Sequence, residues 1–218
     1  MSKYYTRACN FYYGKSSLEM LKLKKALPLH GNKKLSFDTV EILSKEKKRK
    51  ISINKINSLS VDLKKKLKED LKKITKQKSF CKISLKEPLL IGILNLTPDS
   101  FSDGGQYNQI RTALNRVKSL LKAGCKIIDI GGESTRPGSK DIDENVEWKR
   151  IKNLLKKIRN YKFLLSLDTR KTFVMHKALR YKLNIVNDVS GFSYDTKTID
   201  FLKKTKLPLI INHSKGEP

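Results

Sequence analysis

From Pro88 onward the chain repeats one pattern: a short apolar run closes on a polar or glycine tip, and a stripe at helical spacing follows. The runs are Leu89–Leu94, Ile127–Ile130, Phe163–Leu167, Leu183–Val186 and Leu207–Ile211. Between the first two lie Ile110, Ala113, Leu114, Val117, Leu120 and Leu121, closed by Gly124. Ile151, Leu154, Leu155 and Ile158 form the next stripe. A helix near Thr172–Tyr181 and a weaker one near Thr196–Lys204 complete the series. Such alternation predicts parallel strands joined by helical crossovers, an α/β fold. The tips are Asn95, Gly131-Gly132-Glu133, Asp168, Asn187-Asp188 and His213. Polar groups at the C-terminal ends of many different strands are the habit of a (β/α)8 barrel of the TIM type. A doubly wound sheet gathers its ligand at one switch point, and no Gly-x-Gly-x-x-Gly or phosphate-loop lysine motif follows the first run. The pattern therefore favours a barrel, incomplete here, with strands 1–5 present.

Residues 1–85 read differently, as a small α+β extension preceding a barrel domain over 86–218. Leu63, Leu67, Leu71 and Ile74 recur at three- or four-residue spacing and predict a helix over Ser60–Gln77 capped by Ser60. Upstream, Phe37–Leu43 and Lys50–Ile56 alternate like strands, with a charged turn at Lys45–Lys50. No chemistry is legible in this extension.

Charge asks for a partner before any motif does. The 218 residues hold 48 Lys+Arg against 21 Asp+Glu, a formal charge of +27, of which +16 falls in residues 1–90 and +11 in 91–218. The lysines sit between apolar positions of helical stretches, as in Leu63–Ile74, and aromatics do not interleave with them in a reading motif. A solvated lysine-rich surface is the expectation, with weak attraction to polyanions and no specific nucleic acid. No apolar run reaches the roughly 18–20 residues of a membrane helix, and Met1–Asn10 lacks a secretory apolar core. Cys9, Cys81 and Cys125 are odd in number and far apart, without a Cys-x-x-Cys pair. They argue against a disulfide framework or a zinc site and for a reduced, cytoplasmic location.

Two long tips carry most of the chemistry. After Leu94, Asn95 offers a neutral carbonyl oxygen suited to a hard cation or a phosphate-bound metal. It enters a loop holding Asp99, Ser100, Phe101, Asp103 and Gly104-Gly105. Those residues serve a cation, cap backbone groups or form Asx-turns, and the loop's length and phenylalanine favour a mobile active-site segment. The second tip runs Asp129-Ile130-Gly131-Gly132-Glu133-Ser134-Thr135-Arg136-Pro137-Gly138. Its glycines let backbone approach a ligand, and Thr135 and Arg136 supply donors for an anion such as phosphate. An ordinary strand–helix loop with a surface arginine is the alternative. Asp168 and Asn187 place a carboxylate and an amide at neighbouring tips, a set suited to a heterocycle with several N–H groups. Asp188 reads equally as a strand-end cap. His213 follows the fifth strand, His30 and His176 stand alone, and no Ser/His/Asp triad or histidine cluster is present.

Taken in order, Ile91–Asn95 with the Thr97–Gly105 loop, Asp129–Gly138, Asp168-Thr169 and Asn187-Asp188 resemble dihydropteroate synthase. The resemblance runs from about Pro88 to Pro218; the first eighty-odd residues resemble the N-terminal extension of some bacterial members. It implies a transferase of folate biosynthesis that joins 4-aminobenzoate to (7,8-dihydropterin-6-yl)methyl diphosphate. The products are 7,8-dihydropteroate and pyrophosphate, and Mg²⁺ assists. By motif position, Asn95 binds the Mg²⁺–diphosphate unit, and Thr135 and Arg136 lie near the diphosphate and aminobenzoate. Phe101 and Pro137 enclose the aminobenzoate, Asp168 and Asn187 hold the pterin with Val189 beside them, and Asp168 and Arg136 are the catalytic pair. The family is usually homodimeric through barrel helices that this chain lacks.

The family pattern continues past strand five with an Asp-Pro-Gly, a Ser-Arg-Lys and an Arg-x-His segment, none of which occurs here. His213-Ser214 stands where members often carry His-Met. Because five strands cannot close an eight-strand barrel, an open edge exposing backbone groups and apolar surface is expected. The sequence reads as part of a longer gene product whose 218-residue piece has little activity alone. A basic nucleic-acid-associated protein and a non-catalytic relative on the same scaffold are the competing readings. The first leaves both loop motifs unexplained.

Overall fold

The computed structural model describes residues 4–45, 47–97, 106–134 and 139–212. It divides into two compact units, Met1–Pro88 and Leu89–Pro218.

The first unit is built on one long strand. β3 (Asn32–Leu43) pairs antiparallel along one edge with β1 (Tyr5–Tyr13). Its other edge is shared by β2 (Leu27–Leu29) and β4 (Lys48–Ser52). α1 (Gly14–Lys22) joins β1 to β2. Ser17 of α1 is buried and donates to the Lys33 carbonyl at 2.8 Å. α2 (Val61–Thr75) has the predicted stripe, and its Leu67 and Leu71 close a core with Phe37, Val40, Ile42, Ile51 and Ile56. Ser60 occupies the cap position of α2, but its side chain makes no capping bond; its carbonyl accepts from Lys64 instead. The predicted strand over Lys50–Ile56 is earlier and shorter, since Ser52 caps a 3₁₀ turn over Ile53–Ser58 through the Asn54 N–H. A two-stranded ribbon, β5 (Ser79–Phe80) and β6 (Ile83–Ser84), ends the unit.

The second unit is the barrel wall. β7 (Ile91–Asn95), β8 (Ile127–Gly131), β9 (Leu164–Asp168), β10 (Leu183–Asp188) and β11 (Leu209–Ile211) form one parallel sheet in sequence order. α3 (Gln106–Lys122), α4 (Glu144–Ile158), α5 (Thr172–Ala178) with a 3₁₀ turn over Leu179–Tyr181, and α6 (Thr198–Thr205) connect them. Among the described residues strand order never reverses and shows no switch point; this is the wall of a (β/α)8 barrel, five strands of it, rather than a doubly wound sheet.

Period-two alternation decides what each face of that sheet does. Leu94, Ile128, Ile130, Leu165, Leu167 and Val186 pack against Val117, Ile151, Leu154, Leu155, Val174 and Met175 of the helices. The intervening residues therefore face the barrel interior. Helix ends are set locally: Asp143 caps α4 by accepting from the Asn145 N–H at 2.9 Å, and Gly124, at φ +95°, carries the chain out of α3. Among the described residues, the outer edges of β7 and β11 pair with nothing. Ile93 on the inner face of β7 is 63% exposed and Ile211 on β11 is 61% exposed, the apolar edges expected of an unclosed barrel.

Candidate functional site at the strand tips

Strand register brings four predicted positions into one row. Asn95 pairs with Gly131, Gly131 with Asp168, and Asp168 with Asn187. One step deeper, Asp129 pairs with Ser166. Asn95 is exposed at the mouth. A Cβ on Gly131 would lie 3.2 Å from the Asn95 Oδ1 and 3.4 Å from the Asp168 carboxylate, so the glycine keeps a gap open between them. Gly132 is needed for a different reason: a Cβ there would sit 2.9 Å from the Glu147 carbonyl of α4.

Below the row the interior is rich in acceptors and poor in donors. Asn187 donates to Asp129 Oδ2 at 2.9 Å, and its own oxygen accepts from Asn212 at 3.2 Å. Asp129 Oδ1, Ser166 Oγ and Asp168 Oδ1 are buried and find no partner among the described residues. Burial, then the negative charges of Asp129, Glu147, Asp188 and Glu133, push the Asp168 carboxyl up to about 7. Orphaned buried acceptors are costly in a finished core. In a concave site they mark where a ligand brings N–H groups.

One oxygen of Asp188 serves the bland alternative, while its Oδ2 is buried and without a partner among the described residues. Its Oδ1 accepts from both the N–H and the hydroxyl of Ser190 at 2.7 Å, so it shapes the turn after β10. Val189 is half-buried in the same turn. Phe101, Thr135, Arg136 and Pro137 lie outside the described residues, as do Asp99, Ser100, Asp103 and His213.

Sequence reasoning overlooked two sets of residues. Asp129 is one: a carboxylate within a strand buried at all five positions is the signal that could have found it. The other is a charged cluster around the rim. Lys171 Nζ lies 2.9 Å from Glu133, 3.2 Å from Glu147 and 3.2 Å from Asp141. Arg170 makes two 3.2 Å bonds to Glu133 and stacks 4.1 Å above the Tyr194 ring. The Tyr194 hydroxyl donates to Asp141 and, with Lys171, holds that carboxyl below the usual range. These residues are scattered over five segments, and no local spacing announces them.

Fold and site together define an α/β-barrel protein with a donor-seeking face at the C-terminal ends of its strands. Residues 91–218 match the family model described as pterin binding enzyme, and the chain belongs to that family. It is 42% identical over 139 residues to the dihydropteroate synthase of Neisseria meningitidis serogroup C, covering 62% of this chain and 49% of the relative. Among solved structures, the Xanthomonas albilineans dihydropteroate synthase with 4-aminobenzoic acid aligns at TM-score 0.57 and 32% identity, over 62% of this chain and 49% of that one. The Burkholderia cenocepacia enzyme complexed with 7,8-dihydropteroate aligns at TM-score 0.53 and 34% identity, over 62% and 45%. The chain spans about half the length of the curated relatives it matches. No helix among the described residues is long and apolar enough to cross a membrane.

Proposed function

We propose that residues 86–218 carry the pterin-binding part of a dihydropteroate synthase acting in the cytoplasm, with residues 1–85 as an extension of separate role. The observation that carries this reading is the set of orphaned polar atoms, the carboxylate acceptors Asp129 Oδ1 and Asp168 Oδ1 with the Ser166 hydroxyl, beneath the Asn95–Gly131–Asp168–Asn187 row. A pterin presents an amino group and ring N–H on one edge, the donors this interior lacks. Relatives solved with 4-aminobenzoic acid and with 7,8-dihydropteroate support both substrates.

In the proposed reaction the bond between the pterin methylene carbon and its diphosphate oxygen breaks, and pyrophosphate leaves with the electron pair. The amine nitrogen of 4-aminobenzoate then bonds to that carbon and releases its proton to water. Asp168, placed beside the pterin, stabilises positive charge developing on the ring and methylene. Asp129 keeps Asn187 oriented, and Thr135 and Arg136 meet the diphosphate. No activated serine or cysteine is called for, because the leaving group makes the carbon electrophilic.

Among the described residues no three His, Cys, Asp or Glu side chains gather as a metal cage. The exposed Asn95 oxygen beside the Gly131 gap fits a Mg²⁺ that arrives on the diphosphate and keeps most of its water. Bound there, Mg²⁺ supplies charge neutralisation for the leaving pyrophosphate.

The test is titration of the 218-residue chain with a pterin, followed by the amide signals of Gly131, Asp168 and Asn187. Saturable shifts at these three are expected, together with little dihydropteroate formation, because further family segments complete the site. A titration to the pterin's solubility limit that leaves those signals still rejects the reading. Robust turnover by residues 1–218 rejects the expectation that further strands are needed.

A further inference from the structure

We propose that Lys171 is a positioning residue for the diphosphate end of the site, holding together the two flanks of the loop that follows β8. The inference rests on the pterin–diphosphate reading above. An ammonium has three N–H donors and no acceptor. Lys171 has three carboxylates within 3.2 Å, each from a different segment: Glu133 where the chain leaves β8, Asp141 where it returns towards α4, and Glu147 inside α4. Lys171 is 5% exposed, and Glu133 and Glu147 are buried with it.

The rest of the cluster closes around the same two flanks. Glu133 Oε1 accepts from the Ile142 N–H at 3.2 Å, tying the outgoing flank directly to the returning one. The Ser139 hydroxyl donates to the Ser134 carbonyl at 2.6 Å, a second tie. Arg170 reaches both flanks, at 3.2 Å to Glu133 and 3.5 Å to Asp141. Tyr194, from the segment after β10, donates to Asp141 from the far side. In sequence, the flanks bracket Thr135 and Arg136. A buried cation with every donor used is stiffer than a surface pair, so it fixes the separation at which the chain leaves the barrel rim and comes back.

The experiment uses the whole 218-residue chain. Hydrogen exchange is read at the Ile142 amide, and titration with inorganic pyrophosphate and Mg²⁺, into the tens of millimolar, is read at the Asn95 and Gly131 amides. Lys171→Met is expected to speed Ile142 exchange at least 30-fold and weaken pyrophosphate at least 10-fold, with pterin affinity changed less than 3-fold. Lys171→Arg should recover most of both losses. Tyr194→Phe and Asp141→Asn, at exposed positions, keep the test alive if Lys171→Met fails to fold. They should speed Ile142 exchange about 3-fold and 10-fold and weaken pyrophosphate in the same order. Folded variants with unchanged Ile142 exchange overturn the clamp. Faster exchange with unchanged pyrophosphate affinity overturns the positioning role. A wild-type chain whose Asn95 and Gly131 signals ignore pyrophosphate rejects the functional reading and the diphosphate role with it, while the exchange rates still decide whether the clamp exists.

Discussion

The barrel mouth and the rim beside it are both crowded with carboxylates, yet they solve the crowding in opposite ways. At the rim, Glu133, Glu147 and Asp141 share Lys171, and Glu133 and Asp141 share Arg170 as well. At the mouth, Asp129 and Asp168 have an amide and a hydroxyl for company and no cation among the described residues. Compensation at the rim is nearly complete; among the described residues Glu147 Oε1 is its one buried atom without a partner, and burial pushes that carboxyl up despite Lys171. The contrast separates charges that hold the fold from charges held by it. A buried carboxylate with its cation is architecture, whereas one left without a donor is waiting for a ligand.

The largest effect should come from breaking the rim. Lys171→Met leaves three carboxylates facing one another without their shared cation, and removing one partner of a buried ion pair typically costs about 3–5 kcal/mol. Trp148, the single tryptophan, lies in α4, so its fluorescence in a urea titration reads this unit. A loss under about 1 kcal/mol would class the rim with surface salt bridges and erase the contrast.

At the mouth the sign reverses. Ionising Asp168 in a fold that holds its carboxyl near 7 rather than at its ordinary value is unfavourable by at most about 4 kcal/mol. Asp168→Asn removes that charge at constant shape. At pH 8 the variant should be more stable by about 2–3 kcal/mol while its pterin affinity falls at least about 100-fold, the equivalent of about 3 kcal/mol. A variant that is less stable at pH 8 would make Asp168 a structural residue.

The two regions also pull the pH dependence in opposite directions. Asp168 has a folded pKa above its unfolded value of about 4. Between about pH 4 and 7 the folded chain keeps a proton that the unfolded chain has lost, so stability falls as pH rises and levels off above 7. Glu147, raised by its burial, adds to that slope. Asp141 is depressed, chiefly by the Tyr194 hydroxyl, so its contribution is present above about pH 4 and is lost as pH falls below it. Urea midpoints across pH 3–8 should therefore peak near pH 4–5. Asp168→Asn should flatten the upper limb and Asp141→Asn the lower.

Much of this was legible in the residues. The barrel wall was, because each strand is a short apolar run and each helix carries a stripe at helical spacing; errors at the ends of the five strands and of α6 are one or two residues. The row Asn95–Gly131–Asp168–Asn187 was legible because strand C-termini are where barrels keep their chemistry. The Asp129 floor and the Lys171 rim were not. Asp129 looks like part of a glycine-rich tip until the register puts it beside Ser166, and Lys171 meets Glu133, Asp141 and Glu147 only after folding. In the first unit, β1 and α1 went unread because the polar, aromatic Tyr5–Tyr13 has no apolar alternation; it is an edge strand whose Tyr5 and Tyr13 are exposed.

Adjacent glycines sharpen the contrast at smaller scale. Gly132 belongs to the rim: a methyl there meets the α4 backbone at 2.9 Å, which cannot give as a flexible side chain could. Gly132→Ala should lower stability by about 1–3 kcal/mol, the usual range for overpacking, read by the Trp148 urea transition. Gly131 belongs to the mouth. Its methyl would meet Asn95 Oδ1 at 3.2 Å and Asp168 at 3.4 Å, both side-chain atoms, and its backbone is not in the left-handed region. Gly131→Ala should therefore change stability by less than about 1 kcal/mol. The same methyl occupies the gap between the Asn95 oxygen and the Asp168 carboxylate, where the proposed function routes the link between pterin and diphosphate. Pterin and Mg²⁺–pyrophosphate should each still bind alone within about 3-fold, about 0.7 kcal/mol, while the intact pterin-methyl diphosphate weakens at least 10-fold. Equal weakening of all three would mean the alanine has distorted the row, and no weakening of any would move the ligand's path away from Gly131.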